Sequence, residues 1–431
     1  MSLLHKWIFL AGARKRNPSL WTHYDYLKAS EEWGLEALLQ EQEKRLQRVF
    51  QFAFENNAFY KTYWGKSGRT LAEGWSIDRF KDLPIITKAQ LLENNDQVHC
   101  PASLFPKTFF CETSGTSGEV LTFRRDEEWD SFNRAVLLRG LDWHSVKPWK
   151  PSLYFWGYNT APSKQLKIRF QDWLLNRYRI FHYDERSIAA LRKKLANTTY
   201  IEGYSSVIYE LAKHVSSAQA KAPNLKLVKG TSEKIFPHYN EAAKKAFGRT
   251  IASEYGAAES GIIAFECREG NMHLNLLGTY VEVEDEGEII VTNLAARSFP
   301  VIRYRLGDVV RLAPADKACN CGLAHPILEE VTGRIGKNII GNKLTYPSLT
   351  LYYIFKNLYF NYGVKINYQA HQYKKGELEI WTKENLHAAH TKLLLEQCKK
   401  YYGSDIEVTT LQKSNFRQQK GKLRDFVSHL E

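Results

Sequence analysis

Thr113-Ser114-Gly115-Thr116-Ser117-Gly118-Glu119 is the stretch on which the fold reading turns. Small or hydroxylated residues fill all but its last position, just after the largely apolar run from Leu104 to Phe110. Glycine has no Cβ and lets backbone approach a ligand closely. Backbone N–H groups and hydroxyls in such a loop can wrap phosphate oxygens. A flexible hydroxyl-rich linker would have the same composition. Two features favour the phosphate loop: it is short and bounded by apolar segments, and the pair Arg124-Arg125 follows it. It lacks the lysine of Gly-x-x-x-x-Gly-Lys-[Ser/Thr], which argues against a kinase or GTPase of that type.

The 431 residues allow more than one domain and a sizeable core. Hydrophobic residues make up 44% and charged residues 25%, an ordinary balance for a globular chain. No run of about 18 apolar residues is present, so no membrane span is expected. The net charge is +13, but Lys and Arg are scattered. No recognised nucleic-acid module accompanies them, so nucleic acid is not the expected partner. The six cysteines and the lack of a signal-peptide pattern point to a reducing, cytoplasmic setting in which metal ligation outranks disulfides. The apolar start, Leu3 to Leu10 before Arg14-Lys15-Arg16, has two readings. It docks on the protein's own core, the preferred one, or rests on an anionic membrane.

Periodicity places a long helix over 34–62, with Asn56-Asn57 ending its main run. Thr87 and Gln90 stand at capping-box spacing. A helix follows over 126–140, then a strand over 152–157. Helices over 186–196 and 206–217 flank a strand at 200–204, and another strand covers 225–228. This alternation implies α/β units and a largely parallel sheet. From His273 the pattern changes to antiparallel strands over 279–283, 287–292 and 301–304. Strands near 364–368 and 377–382, a helix over 384–401 and a strand over 405–410 have the scale of a small α+β domain.

Four further stretches accompany the loop: Glu254-Tyr255-Gly256-Ala257-Ala258-Glu259, Arg303-Tyr304-Arg305-Leu306-Gly307-Asp308, Gly333-Arg334-Ile335-Gly336-Lys337 and Gly421-Lys422-Leu423-Arg424. In order and spacing the set resembles the adenylate-forming ligases, the superfamily of acyl-CoA synthetases, and most nearly its phenylacetate–CoA ligase branch. The resemblance implies an α/β fold. Its large N-terminal domain (1–334) would hold sheets, helices and a small antiparallel β-barrel-like part, and a small mobile α+β domain (335–431) would carry the catalytic lysine. It also implies activity: a carboxylate attacks the α-phosphorus of ATP, releases pyrophosphate, and the acyl group passes to a thiol, CoA first among them. Such catalysis is largely positioning and charge neutralisation.

The same resemblance gives Thr113, Ser114, Gly115, Thr116, Ser117 and Gly118 the β- and γ-phosphates. It gives Tyr255 the adenine face and Gly256 a close backbone approach. Glu259 receives Mg²⁺, a hard cation suited to oxygen ligands, and Asp308 the ribose hydroxyls. Gly230, Thr231, Ser232 and Glu233 line the base, with Glu254, Ala257, Ala258 and Arg334 also at the nucleotide. Lys422 bridges the acid carboxylate and the α-phosphate. Tyr154, Trp156, Tyr158, Tyr204 and Ser205 are expected to wall the acid pocket. That wall suits an aromatic or other apolar acid, and a sugar acid or amino acid stays open.

Three positions depart from the family pattern. Ala258 and Leu306 stand where threonine is common, and the hinge at Gly333 to Lys337 lacks the usual aspartates. A carrier-protein thiol or an amine therefore stands beside CoA as acceptor. A non-catalytic nucleotide- or nucleic-acid-binding protein is the reading from another class. Cys267, His273, Cys319 and Cys321 form a set of three thiolates and one imidazole suited to structural Zn²⁺, as in some members of that branch. His325 is a substitute ligand. A homodimer is compatible with the sequence.

Overall fold

In the computed structural model the described residues are 2–113, 121–155, 162–179, 185–216, 222–232, 235, 237–334, 338–346, 348–364, 366, 368–382, 385–413, 418–419, 422–423 and 426–430. They fall into two compact units, the first built from Met1–Thr113 and Thr122–Thr332, the second from Ser114–Leu121 and Gly333–Glu431.

The first unit opens with helices α1 (Ser2–Arg16), α2 (Leu20–Ala29) and α3 (Leu35–Asn56). The helix expected over 34–62 is broken at Asn57. Its side chain accepts from the Tyr60 N–H at 3.1 Å to start α4 (Ala58–Glu73), and donates to the Val98 carbonyl at 2.6 Å. Two short helices follow, α5 (Ile77–Lys81) and α6 (Lys88–Glu93). The latter begins with the expected capping box of Thr87 and Gln90. After α7 (Asn95–Val98), strands β1 (Thr108–Glu112) and β2 (Thr122–Asp126) pair antiparallel on either side of the hydroxyl-rich loop. Asp126 then caps α8 (Glu127–Trp143) by accepting from the Trp129 N–H.

Strand–helix alternation follows: β3 (Ser152–Phe155), α9 (Pro162–Leu174), β4 (Arg177–Tyr178), α10 (Glu185–Leu195), β5 (Tyr200–Tyr204), α11 (Ser205–Ser216), β6 (Leu227–Thr231), α12 (Pro237–Phe247) and β7 (Ile251–Ala257). The antiparallel series is β8 (Gly261–Glu266), β9 (Met272–Leu274), β10 (Thr279–Val283), β11 (Glu288–Asn293), β12 (Tyr304–Leu312) and β13 (Ile327–Arg334). The two series form a single 11-stranded sheet in the order β10-β11-β12-β13-β9-β8-β7-β6-β5-β3-β4. Strands β3 to β7 run parallel, and the direction reverses at the β7–β8 hairpin.

Period-two alternation gives the parallel strands two unlike faces. Leu153, Phe155, Ile201, Val228 and Ile251 enter a core shared with α10, α11 and α12. On the other face Tyr200, Leu227 and Ala252 join a larger core under α8, with Phe132, Val136 and Leu141.

In the second unit, β14 (Ile339–Ile340) and β15 (Thr345–Tyr346) precede α13 (Leu349–Tyr362). Strands β16 (Tyr368–Gln372) and β17 (Glu377–Thr382), helix α14 (Ala388–Tyr402) and strand β18 (Glu407–Gln412) come next. Two-residue strands β19 (Gln418–Gln419) and β20 (Lys422–Leu423) pair antiparallel before β21 (Phe426–Ser428). The four-stranded sheet runs β18-β17-β16-β21, with Leu351, Ile354, Leu358, Ile380 and Leu394 in its core. Strand β16 begins four residues later than the sequence reading placed it, at Tyr368 rather than 364.

Candidate active site

Ligands of open α/β sheets gather beyond the carboxyl ends of parallel strands, where the strand order or direction changes. Here that edge is formed by the ends of β3, β5, β6 and β7. Tyr204 opposes Thr231, and Thr231 opposes Glu254, so the three side chains stand in one row on one face. One row further in stand Tyr154, Glu202 and Lys229. Lys229 is 2% exposed. Its ammonium lies 2.8 Å from Glu254 Oε2 and 3.4 Å from Glu202 Oε2. Burial alone would lower the Lys229 pKa, but Glu254 and Glu202 outweigh it and raise it, so the charge is kept. Thr231 Oγ1 donates to the other Glu254 oxygen at 3.1 Å. The Tyr154 ring faces the guanidinium groups of Arg177 and Arg179 at 4.3 and 4.6 Å. Burial pushes its phenol up to about 12, so it stays neutral. The face that carries Tyr154 and Tyr204 thus also carries an ionic row of Glu202, Lys229 and Glu254.

The β7–β8 hairpin presents Ala258 and Glu259 at the sheet's turning point. The turn closes tightly, with Ala257 N–H donating to Ser260 Oγ at 3.2 Å. A Cβ on Gly256 would meet the Gly261 carbonyl oxygen at 2.2 Å, so no side chain fits there. Arg125 on β2 donates to the Ala258 carbonyl at 2.5 Å and lies 3.7 Å from Asp130. Glu259 is 5% exposed and accepts from the Tyr304 hydroxyl at 3.1 Å. Among the described residues no ion pair neutralises it, an uncommon state for a buried carboxylate. Asn293 holds the turn by donating to the Glu259 carbonyl at 3.2 Å.

Strand β12 supplies both Tyr304 and Asp308. Ile290 opposes Arg305 but Glu288 opposes Val309, so Leu306, Gly307 and Asp308 bow out of the ladder. Gly307, at φ +84°, takes the left-handed conformation that this bend needs. The bulge brings Asp308 Oδ2 to 2.9 Å from the Tyr255 hydroxyl.

A second cluster sits on the antiparallel side. The ligand atoms of Cys267, His273, Cys319 and Cys321 all lie within 4.8 Å of one another. Cys267 Sγ is 3.7 Å from Cys319 Sγ, and Cys321 Sγ is 3.2 Å from His273 Nε2. His273 Nδ1 contacts the His325 carbonyl at 2.9 Å, which fixes the proton there and leaves Nε2 for a cation. His325 stands outside the set, with its own Nδ1 on the Leu274 carbonyl.

No family model matches the chain. Protein CapK of Staphylococcus aureus is 24% identical over 297 residues, a match covering 64% of this chain and 63% of CapK. Indoleacetate–lysine synthetase of Pseudomonas savastanoi is 32% identical over 94 residues, which is 21% of this chain and 24% of that protein. The chain thus matches less than two thirds of the length of either curated relative. A crystal structure of 2-hydroxyisobutyryl-CoA ligase with 2-HIB-AMP and CoA superimposes with a TM-score of 0.62 at 19% identity, over 92% of this chain and 91% of that one. Its postadenylation state with R3-HIB-AMP gives 0.61 at 16% identity, with the same coverage.

The fold is that of the adenylate-forming ligases.

On this adenylate-forming ligase fold, the structure brings Glu254, Tyr255, Gly256, Ala257, Ala258, Glu259 and Asp308 to one region of the first unit. Gly230, Thr231, Tyr154, Tyr204 and Ser205 stand on the neighbouring parallel strands or just beyond them. Ser232 follows Thr231 at φ +66°. Thr113 ends the β1 side of the loop; Ser114, Gly115, Thr116, Ser117, Gly118, Trp156, Tyr158 and Glu233 lie outside the described residues. For Arg334 and Lys422 the backbone alone is described, Lys422 pairing with Gln419 in the second unit. Lys229 and Glu202 were not singled out from sequence as members of the region, and Arg125 and Tyr304 were quoted within motifs without a role of their own. A lysine and a glutamate at inward positions of buried strands were the available signal for the first two.

Proposed function

We propose that this chain is an ATP-dependent ligase that adenylates a carboxylic acid and passes the acyl group to a thiol, CoA first among them. One observation carries the reading. A buried carboxylate without an ionic partner among the described residues, Glu259, stands on the hairpin where the sheet reverses and accepts from Tyr304, on the same strand as Asp308. A buried acid of this kind calls for a cation. Mg²⁺ at Glu259 would meet oxygen ligands and neutralise the triphosphate. Asp308 would take the ribose hydroxyls and Tyr255 the adenine face. Thr113 with Ser114 to Gly118 would hold the β- and γ-phosphates, while Lys422 would meet charge developing between the acid and the α-phosphate.

In the first step an acid oxygen bonds to the α-phosphorus and pyrophosphate leaves. In the second a thiolate bonds to the acyl carbon and AMP leaves. Three thiolates and an imidazole suit Zn²⁺ at Cys267, His273, Cys319 and Cys321. Four protein ligands leave no open position, so the role is structural. The ionic row behind Tyr154 and Tyr204 favours an acid that carries hydrogen-bonding groups.

A second reading replaces the thiol by an amine. It is supported by the local match to a protein named indoleacetate–lysine synthetase. CoA is favoured by the name of the ligase that superimposes over nine-tenths of the chain. Incubation with ATP, Mg²⁺ and a panel of acids, with CoA or lysine as acceptor, separates the two by product mass. AMP release with acyl-CoA supports the thiol, and AMP release with an amide supports the amine. No acid-dependent AMP with any acceptor would count against both.

A further inference from the structure

Helix α1 divides into two stripes. His5, Phe9 and Ala13, at helical spacing, face inward; His5 is 6% exposed, and Phe9 and Ala13 pack against the main core. Leu3, Leu4 and Trp7 face outward. Helix α9 abuts α1, with the rings of His5 and Trp173 edge-on at 6.1 Å. It presents Leu166, Phe170 and Trp173, again at helical spacing. These six outward side chains are 52% to 74% exposed, well beyond scattered surface apolar residues.

The charge around them has one sign. α1 contains Lys6, Arg14, Lys15 and Arg16 and no acidic residue. α9 adds Lys167 and Arg169, and its one acidic residue, Asp172, is buried and paired with Arg177 and Arg179. Tryptophan and phenylalanine beside lysine and arginine are what the boundary between lipid headgroups and acyl chains accommodates. Among the described residues no helix is long and apolar enough to cross a membrane, so contact would be from one side. A second copy placed symmetrically on this face would set the two basic rims against each other, which disfavours self-association.

We infer that α1 and α9 together form a docking surface for an anionic lipid membrane. The inward stripe fixes the helix to the protein, and the outward stripe inserts shallowly while the basic residues meet the headgroups. This assignment is independent of the ligase reading.

Flotation of the full chain with phosphatidylcholine vesicles, and with vesicles containing about one-third phosphatidylglycerol, tests it. Binding is expected only to the anionic vesicles and is expected to weaken with salt. The variant Trp7→Glu/Phe170→Glu should lose roughly tenfold or more in affinity. Arg14→Gln/Lys15→Gln should lose roughly tenfold, mostly at low salt. Both should keep the wild-type circular dichroism and melting temperature, because the changed side chains face outward. Wild-type binding that is absent, or equal for neutral and anionic vesicles, would overturn the inference. So would a wild-type dimer that the Trp7→Glu/Phe170→Glu variant dissociates, since the face would then be a contact between copies.

Discussion

The Tyr255 hydroxyl donates to Asp308 Oδ2 at 2.9 Å, joining the last strand of the parallel series to the bulge of an antiparallel strand. The contact makes the two side chains one wall. Removing the carboxylate with Asp308→Ala should raise the KM for ATP by roughly 10- to 100-fold, as for a charged hydrogen-bonding group. Tyr255→Phe keeps the ring and removes one hydrogen bond, worth about 1 kcal/mol, so a change below about tenfold is expected. Steady-state kinetics with varied ATP distinguish the two.

Glu259 has a different partner and a different expected effect. Glu259→Gln keeps the shape and the contact with Tyr304 but removes the charge. Adenylation should fall by roughly 100- to 1,000-fold, and extra Mg²⁺ should restore little. Tyr304→Phe should cost only several-fold, because it alters how the carboxylate is held and not the carboxylate itself. Single-turnover formation of the adenylate checks both.

The cysteine cluster predicts about one zinc per chain in protein purified without chelator. Less than about half an equivalent would argue against the site. Cys319→Ser/Cys321→Ser should remove the metal and lower the melting temperature. The loss is structural because the cluster ties the end of β8 and the middle of β9 to the segment between β12 and β13.

Asp130 gives a pH dependence. Burial alone would raise its carboxyl, but Arg134, with a charge and a hydrogen bond, Asn17 and Arg16 together outweigh burial and hold it below the usual carboxylate range. A folded pKa below the unfolded one contributes stability that is present above the unfolded value, about 3.9, and is lost as pH falls through the folded one. Asp130→Asn should therefore cost about 1–3 kcal/mol at neutral pH, a range kept low because Arg134 and Arg16 are half exposed. It should also flatten the acid limb of the stability profile, which denaturant titrations at several pH values would record.

What the sequence disclosed depended on range. Local signals carried through: the Thr87–Gln90 capping box and the strands over 200–204 and 377–382 are readable from neighbouring residues alone. Helix α13 left little trace, because Leu349–Tyr362 is apolar and aromatic on most sides and shows no single stripe. The site was legible as motifs but not as contacts. Tyr255 and Asp308 stand 53 residues apart, and only the bulge of β12 brings them together. The ionic row of Glu202, Lys229 and Glu254 was hidden because its logic is strand register, which the sequence does not print.

Exchange of labelled pyrophosphate into ATP, run over a broad panel of carboxylic acids, tests the account most directly, because it reports acyl-adenylate formation whatever the acceptor. Exchange is expected to need one class of acid and Mg²⁺ and to be depressed in Lys422→Ala while ATP binding persists. No exchange with any acid, from folded protein that still binds ATP, would contradict it.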